Sequence, residues 1–125
     1  MILDASALLA LLKKEKGHEK VQLAVTNGTS MSAVNYVEVL TKLIQAGMPP
    51  EIAQQAISTL NITIVPLDED MALSSAKLYI YTKTKGLSLG DRACLALGLF
   101  LGQTVLTADK VWKDILPSVD VKVLR

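Results

Sequence analysis

Short, apolar, strand-like segments alternate with longer helical segments along the whole chain. The clearest strand is residues 62–65, Ile-Thr-Ile-Val, in which every side chain is β-branched. A sequence that alternates strands and helices in this way favours a parallel sheet covered by helices on both faces. With 125 residues and no internal repeat or linker, the chain is predicted to form one α/β domain over residues 1–125.

Glycine, proline and cap residues set the predicted bounds of the elements. The predicted strands are residues 2–3, 29–32, 62–65, 104–107 and 121–124. The predicted helices are residues 5–14, 18–26, 33–46, 50–60, 69–85, 88–101 and 109–115. In a parallel α/β sheet, ligands bind beyond the carboxyl ends of the strands, where the strand order reverses. The residues that directly follow the strands are therefore the first candidates for a site.

Composition excludes or disfavours several kinds of protein. Cys94 is the only cysteine, so no intrachain disulfide can form, and its apolar neighbours predict a small buried side chain. The longest apolar stretch, residues 93–101, is about half of the roughly 20 residues that a membrane-spanning helix needs, and the N-terminus lacks the basic region of a signal peptide. We therefore expect a cytoplasmic protein with no membrane partner.

Two common kinds of enzyme also find no support. His18 is the only histidine and lies in a polar stretch, which disfavours a Ser-His-Asp hydrolase. Neither a GxxxxGK[ST] loop nor a GxGxxG fingerprint occurs, so the sequence offers no support for a nucleotide cofactor.

Four acidic residues stand where carboxylates are unusual. Asp4 follows the first strand and Asp109 follows the fourth, so a parallel sheet places both at the same edge. Asp91 lies near the start of helix 88–101, which is otherwise apolar on nearly all sides. Glu38 lies in the second turn of helix 33–46, between two valines.

Each acid taken alone also has a purely structural interpretation. Asp4 and Asp109 fit helix N-caps, and Asp91, with the serine three residues before it, fits a variant of the capping box. Glu38 and Lys42 fit an i,i+4 surface ion pair, and a helical wheel points Glu38 away from the apolar stripe of its helix.

The four acids taken together favour a metal site. Three acids at element starts on one edge, with a fourth from a neighbouring helix, repel one another unless a cation lies among them. Oxygen ligands without histidine or cysteine suit Mg²⁺ or Mn²⁺ and not zinc. Such an ion activates water and neutralises the charge that develops on a phosphate.

At this point the sequence resembles a PIN domain, and in particular the VapC-type toxins of bacterial and archaeal toxin–antitoxin pairs. The resemblance rests on four motifs, which have the order and spacing of that family across essentially the whole chain. The motifs are LDASALLALL at residues 3–12, SAVNYVEVL at 32–40, LSLGDRACLA at 87–96 and VLTADKVW at 105–112.

The resemblance implies a three-layer α/β/α fold whose parallel sheet has the order 3-2-1-4-5, which makes strands 1 and 4 neighbours. It also implies a Mg²⁺- or Mn²⁺-dependent endoribonuclease. Carried over by motif, the catalytic and metal-binding acids are Asp4, Glu38, Asp91 and Asp109. Ser6 and Thr107 fall where the family often has a hydroxyl beside the acids, and both also fit ordinary caps.

Some relatives carry a further acid soon after the position of Asp109. The candidate here is Asp114, which lies five residues on and so about 140° around a helix from Asp109. We therefore expect a surface role for Asp114, with Lys110 as its i−4 partner.

Charge and apolar content predict the partners. Setting the four proposed ligands aside leaves eight of the 12 acidic residues against 13 basic ones, and a surface that is basic outside an acidic pocket suits the phosphate backbone of RNA. The family resemblance adds a second copy of the chain and a small antitoxin that covers the active site, with apolar patches on the early helices as docking surfaces. The candidate phosphate contacts are Lys13, Lys14, Lys16, Lys20, Lys83, Lys85, Lys110 and Lys113.

Two alternatives to a nuclease stay open. In the first, the acids bind Mg²⁺ or a protein partner in a domain that does not catalyse. In the second, the chain is a receiver-like domain, which also clusters acids at strand ends but uses a phosphoryl-accepting aspartate and a lysine after a late strand. The chain supplies no clear lysine of that kind.

Overall fold

The structure is a computed structural model that describes residues 1–125, and one parallel sheet of five strands lies at its centre. All neighbouring strands run parallel, in the order β3-β2-β1-β4-β5. The predicted fold class and strand order are therefore confirmed. The strands are β1 (Ile2–Leu3), β2 (Thr29–Ser32), β3 (Ile62–Val65), β4 (Val105–Thr107) and β5 (Val121–Val123).

This order also decides one of the alternatives. Receiver domains have the flavodoxin-like order 2-1-3-4-5, in which the third strand neighbours the first. Here the third strand is at the sheet edge and the first strand neighbours the second and the fourth. The chain is therefore not a receiver-like domain.

Helices cover both faces of the sheet. Side chains alternate between the faces along a strand, so Leu3 and Leu106 pack with α1 to α4 while Ile2 and Val105 pack with α5 and α7. The helices are α1 (Ala5–Leu12), α2 (His18–Thr26), α3 (Ala33–Gln45), α4 (Pro50–Ser58), α5 (Glu69–Lys77), α6 (Tyr79–Thr82) and α7 (Leu89–Leu101).

Helix α7 contains the longest run of buried residues of these helices, residues 93–98. Cys94 is fully buried in it, as predicted, and burial raises the pKa of its thiol well above the ordinary value. Gly98 lets the helix approach β4 closely, because a Cβ atom there would lie 2.7 Å from Cγ2 of Val105. The close packing fixes the C-terminal half of α7 against β4.

The predicted single helix over residues 69–85 is wrong. The structure has α5, then the short α6, then a 3₁₀ turn at Lys83–Lys85. The break falls at Leu78, whose N–H still donates to the carbonyl of Ser74, and the hydroxyl of Thr82 donates to the carbonyl of Leu78. The regular helix therefore ends eight residues before its predicted end.

The predicted helix over residues 109–115 is also wrong. Only Lys110–Trp112 are helical, in a 3₁₀ turn, and Asp114 follows in the left-handed region with φ of 58°. Asp114 is exposed, as predicted, but it makes no ion pair with Lys110, because no helix brings the two together.

The carboxyl ends of β1 and β4 lie side by side at the centre of the sheet. Leu3 is paired with Leu106, so the residue after each, Asp4 and Thr107, comes next at the same edge. Asp109 lies two residues beyond. No helix of the structure combines the length and the apolar character that crossing a membrane requires.

Candidate metal centre

The four acids that the sequence singles out line one cleft of about 220 Å³ at this edge of the sheet. They come from four separate segments: the end of β1, helix α3, the first turn of α7 and the segment after β4. Asp4 is buried at the base, Glu38 and Asp91 are half-buried, and Asp109 is exposed. The residues lining the cleft are Asp4, Ala5, Ser6, Leu9, Asn35, Glu38, Lys42, Asp91 and Asp109.

Asp4 is held by donors from both neighbouring segments. It is the N-cap of α1, and its Oδ1 accepts a hydrogen bond of 2.8 Å from the backbone N–H of Ala7. The hydroxyl of Thr107 donates to Oδ2 at 2.7 Å, and the hydroxyl of Ser6 lies 2.8 and 2.9 Å from the two carboxylate oxygens. The carboxylate therefore has one fixed orientation.

Burial and hydrogen bonding act on this carboxylate in opposite directions. Burial raises the pKa of Asp4 from its ordinary value of 3.8 to about 6, although the hydrogen bonds from Ala7, Thr107 and Ser6 lower it. The charge of Asp91 raises the pKa of Asp4 further. Asp4 is therefore the most deeply buried of the four acids, and its pKa lies close to neutral pH.

Ser6 and Thr107, predicted as partners of the acids, connect the two strand ends. The Ser6 hydroxyl accepts from the backbone N–H of Ala108 at 2.9 Å, and the Thr107 hydroxyl accepts from that of Asp109 at 3.0 Å. Each hydroxyl thus contacts the Asp4 carboxylate and the backbone after β4. The two side chains fix Asp4 relative to the segment that carries Asp109.

Asp91 and Asp109 also act as caps. Asp91 completes a capping box with Ser88, since its Oδ2 accepts from the backbone N–H of Ser88 at 2.9 Å and its own N–H donates to the Ser88 hydroxyl. Asp109 Oδ1 accepts from the N–H of Val111 at 3.0 Å. A cap uses only part of a carboxylate's acceptor capacity, so capping and metal binding are compatible.

Glu38 does not make the surface ion pair that was the alternative for it. The two ion pairs of the structure are His18–Glu19 and Glu15–Arg125, and neither involves the cleft. Glu38 Oε1 instead accepts a hydrogen bond of 2.8 Å from the side-chain amide of Asn35. Its carboxylate lies against α7 over Gly90, where a Cβ atom would be 2.8 Å from Cδ of Glu38.

The donor set of this cleft fits a hard divalent cation. Four carboxylates converge without histidine or cysteine, and Lys42 is the one basic residue among the lining residues. No three of the acids form a preassembled ligand group, because each carboxylate is turned toward its own local donor. The cleft therefore fits a divalent cation in the chemistry of its oxygen ligands and in their location at one edge of the sheet.

Asn35 and Lys42 line the cleft without having been predicted there. Asn35 is the only polar residue among the buried positions of α3, and it lies three residues before Glu38, so the two side chains are neighbours on the helix surface. A buried amide at i−3 from an acid was the signal for Asn35. Lys42 was considered only as an ion-pair partner.

Comparison with known proteins identifies the family. The family model described as PIN domain matches residues 1–115, which confirms the family expected from the four motifs. A search of curated protein sequences finds no significant match.

Solved structures share the fold at low sequence identity. A toxin–antitoxin complex from Klebsiella pneumoniae contains a chain that is 18% identical, with a TM-score of 0.77 over 99% of this chain and 97% of that one. VapBC2 from Rickettsia felis, bound to a promoter DNA fragment, gives 13% and 0.75 over 97% and 96%. Mycobacterium tuberculosis VapC20, described as a toxin that cleaves the sarcin-ricin loop, gives 14% and 0.73 over 91% of each chain.

Proposed function

Because the chain belongs to the PIN domain family, we propose that it is a Mg²⁺- or Mn²⁺-dependent endoribonuclease that acts as the toxin of a toxin–antitoxin pair. The proposed catalytic and metal-binding residues are Asp4, Glu38, Asp91 and Asp109. Ser6 and Thr107 are proposed to hold Asp4 in place.

One observation carries this proposal. Four carboxylates from four distant segments line a single cleft, and none of them takes part in an ion pair. Like charges that converge without ion-pair partners raise one another's energy, and Asp4 is buried at the cost of a raised pKa. A divalent cation removes that cost, whereas three helix caps and a glutamate on a helix surface have no structural reason to meet.

The chain's own residues would orient such a cation and its substrate. When bound, the cation supplies an activated water and neutralises charge on the scissile phosphate. Asp4, fixed by Thr107, Ser6 and the Ala7 amide, is the rigid ligand at the base of the cleft. Exposed Asp109 lies on the solvent side, where the phosphodiester arrives.

The surface outside the cleft supports a polyanionic substrate. All eight lysines proposed as phosphate contacts are exposed, and the remaining charge outside the four acids is positive. Lys42, at the cleft itself, is the nearest candidate to contact a backbone phosphate beside the scissile one. RNA is the proposed substrate.

Cleavage of a mixed-sequence, single-stranded RNA in Mn²⁺ or Mg²⁺ tests the function. Asp4→Asn should lower the rate by more than about a hundredfold, since even the partners of metal ligands contribute about 10- to 100-fold. Excess EDTA should abolish cleavage. Asp68→Asn is a matched control, because Asp68 caps α5 through the N–H of Met71 as Asp4 caps α1, and it lies outside the cleft.

The outcome separates the proposed function from the remaining alternative. Full activity of Asp4→Asn, or undiminished activity in EDTA, contradicts a metal-dependent nuclease centred on these acids. A protein that binds Mn²⁺ but cleaves no RNA, at any metal concentration, supports the non-catalytic binding module instead.

Two protein partners belong to the same proposal: a small antitoxin that brings a basic side chain toward the acids, and a second copy of the chain. Large apolar side chains are exposed on early helices, as expected, and also around α5 to α7, which include Tyr79, Ile80, Tyr81 and Phe100. Ultracentrifugation should detect a dimer, and co-expression with a short neighbouring reading frame should yield a complex in which cleavage is inhibited. A strict monomer at high concentration, with no such reading frame, contradicts this part of the proposal.

A further inference from the structure

We propose that Asn35 is a positioning residue that holds the Glu38 carboxylate in the cleft and fixes it relative to the first turn of α7. The part of this inference that concerns metal binding rests on the proposed function. Asn35 lies within the motif at residues 32–40, but the sequence analysis gave it no role, and the inference comes from its contacts.

The side-chain amide of Asn35 joins two elements of the cleft. Its Nδ2 donates to Oε1 of Glu38 at 2.8 Å, on the same helix, and to the backbone carbonyl of Gly90 at 3.0 Å, on α7. Gly90 directly precedes Asp91, so the amide connects the Glu38 carboxylate to the turn that carries the neighbouring acid. Both protons of the amide are used in this link.

The same contacts fix which way the amide faces. Both acceptors are oxygens, so the nitrogen must lie toward them, and the oxygen Oδ1 lies on the other side. Asn35 is 1% exposed and its Oδ1 has no hydrogen-bond partner. A buried acceptor without a partner is unfavourable, so the Oδ1 atom of Asn35 costs stability where it lies. The favourable part of the residue is therefore its pair of N–H groups.

Gly90 provides the space that this arrangement needs. The Glu38 carboxylate lies where a side chain at position 90 would begin, and its Cδ is 2.8 Å from the place of a Cβ atom. Glu38 is therefore confined between the amide of Asn35 on one side and the backbone of α7 on the other. A long side chain that would otherwise rotate freely is held in one place beside Asp91.

A purely structural role for Asn35 makes a different prediction. If the amide only joined α3 to α7, its removal would change stability, and its effect on metal binding would not depend on Glu38. If Asn35 acts through Glu38, a chain that already lacks the Glu38 carboxylate should lose no further metal affinity when Asn35 is also replaced. A double-mutant cycle separates the two roles.

The cycle uses Asn35→Leu, Glu38→Ala and the double variant, with Mn²⁺ affinity measured by calorimetry. Leucine keeps the branched heavy-atom shape of asparagine and removes the unpaired acceptor together with the donors, so folding should be retained. Asn35→Leu should weaken Mn²⁺ binding by roughly tenfold, and by less than about twofold in the Glu38→Ala background. Ser75→Ala is the matched control, since it removes a buried hydroxyl bond on α5 and should leave Mn²⁺ affinity unchanged.

A second measurement does not depend on any metal. In the metal-free protein, NMR should detect slowly exchanging side-chain amide protons of Asn35, and Glu38→Ala should shift their resonances. Unmoved resonances overturn the proposal, as does an equal loss of Mn²⁺ affinity in both backgrounds, or no loss in either. If the resonances move but the wild-type chain binds no Mn²⁺, the proposed function fails while the positioning of Glu38 by Asn35 stands.

Discussion

Asp4 is the most tightly held of the four acids, and its charge is also the most costly to bury. Three donors orient its carboxylate, yet burial outweighs them and raises its pKa to about 6. The folded chain therefore binds a proton at Asp4 more tightly than the unfolded chain, whose carboxyl has the ordinary pKa of 3.8. The stability that comes from this difference is fully present below pH 3.8 and is lost as the pH rises through 6.

Asp4→Asn should therefore stabilise the metal-free protein at neutral and higher pH. Asparagine still caps a helix but carries no charge to bury. A shift of two pKa units corresponds to roughly 3 kcal/mol, so the free energy of unfolding of the variant, relative to wild type, should rise by about that amount between pH 4 and pH 8. Urea unfolding in EDTA at the two pH values measures this difference.

Asp68→Asn provides the comparison for this prediction. Asp68 is an exposed cap that accepts from the N–H of Met71, so its substitution changes a cap without removing a buried charge. An Asp4→Asn variant that is less stable than wild type by the same amount at pH 4 and pH 8 would mean that the charge of Asp4 is not costly.

The place of Asp4 in the cleft is easier to predict from the sequence than the place of Glu38. Asp4 follows a strand and starts a helix, and both features are local and visible in the sequence. The place of Glu38 depends on Asn35 and on the missing side chain of Gly90, which belongs to another helix. A helical wheel of α3 alone points Glu38 away from the apolar stripe because the wheel contains no information about α7.

The first turn of α7 forms one side of the cleft. Two glycines let this helix pack closely, but they face different neighbours. A Cβ atom at Gly98 would meet the side chain of Val105 within the core, whereas one at Gly90 would meet the carboxylate of Glu38. The neighbour at Gly98 is fixed by packing, and the neighbour at Gly90 is the end of a flexible side chain.

Gly90→Ala should therefore affect metal binding and not folding. The new methyl group displaces the Glu38 carboxylate, which can rotate toward solvent, so the free energy of unfolding should stay within about 1 kcal/mol of wild type. Mn²⁺ affinity should fall by roughly tenfold, as for other residues that support a metal ligand. Calorimetry and urea unfolding on the same sample measure both quantities.

Gly98→Ala is the matched control on the same helix. Because its methyl group enters a packed core, it should lower the free energy of unfolding by about 1–3 kcal/mol. Its Mn²⁺ affinity should be unchanged in the folded protein. Equal losses of metal affinity in the two variants would show that α7 moves as a whole and that Gly90 has no special relation to Glu38.

Element bounds follow from the sequence where strong local signals exist. The strand at Ile62–Val65 and the helix at His18–Thr26 have the predicted bounds, because β-branching defines the first and Gly17 with the Asn-Gly turn defines the second. The helix after Asp68 is predicted too long because its end has no glycine or proline. The structure interrupts this helix at Leu78, and the following residues form a short α-helix and a 3₁₀ turn.

The cleft is assembled from segments that are far apart in the chain. The hydrogen bond from Thr107 to Asp4 spans 103 residues. Such contacts are predictable here because the alternation of strands and helices indicates a parallel sheet and the family motifs imply its strand order. The distances between carboxylates do not follow from either, since they depend on side-chain packing between α3, α7 and the strand ends.

Mn²⁺ should stabilise the folded chain as a whole, because the unfolded chain does not bring the four acids together. At a concentration 100 times its Kd, a ligand that binds only the folded state adds about 2.7 kcal/mol, which raises Tm by roughly 10 °C in a domain of this size. Thermal unfolding at pH 8, with and without Mn²⁺, measures the shift.

The variant Asp4→Asn combined with Asp91→Asn is the control for this measurement. It should unfold at the same temperature with and without Mn²⁺, since two of the four proposed ligands are gone. A rise in Tm as large as that of wild type would place the Mn²⁺ site elsewhere on the molecule.

The spacing of the four acids along the chain has a consequence for biosynthesis. Asp4 and Glu38 leave the ribosome first, but Asp91 and Asp109 follow much later, and β1 gains its partner β4 only after residue 107 has been made. A nascent chain that stops before this point lacks Asp109 and has an incomplete sheet. Any activity of the cleft is therefore confined to chains whose synthesis has passed Asp109, so shorter nascent chains on the ribosome cannot cleave RNA at this site.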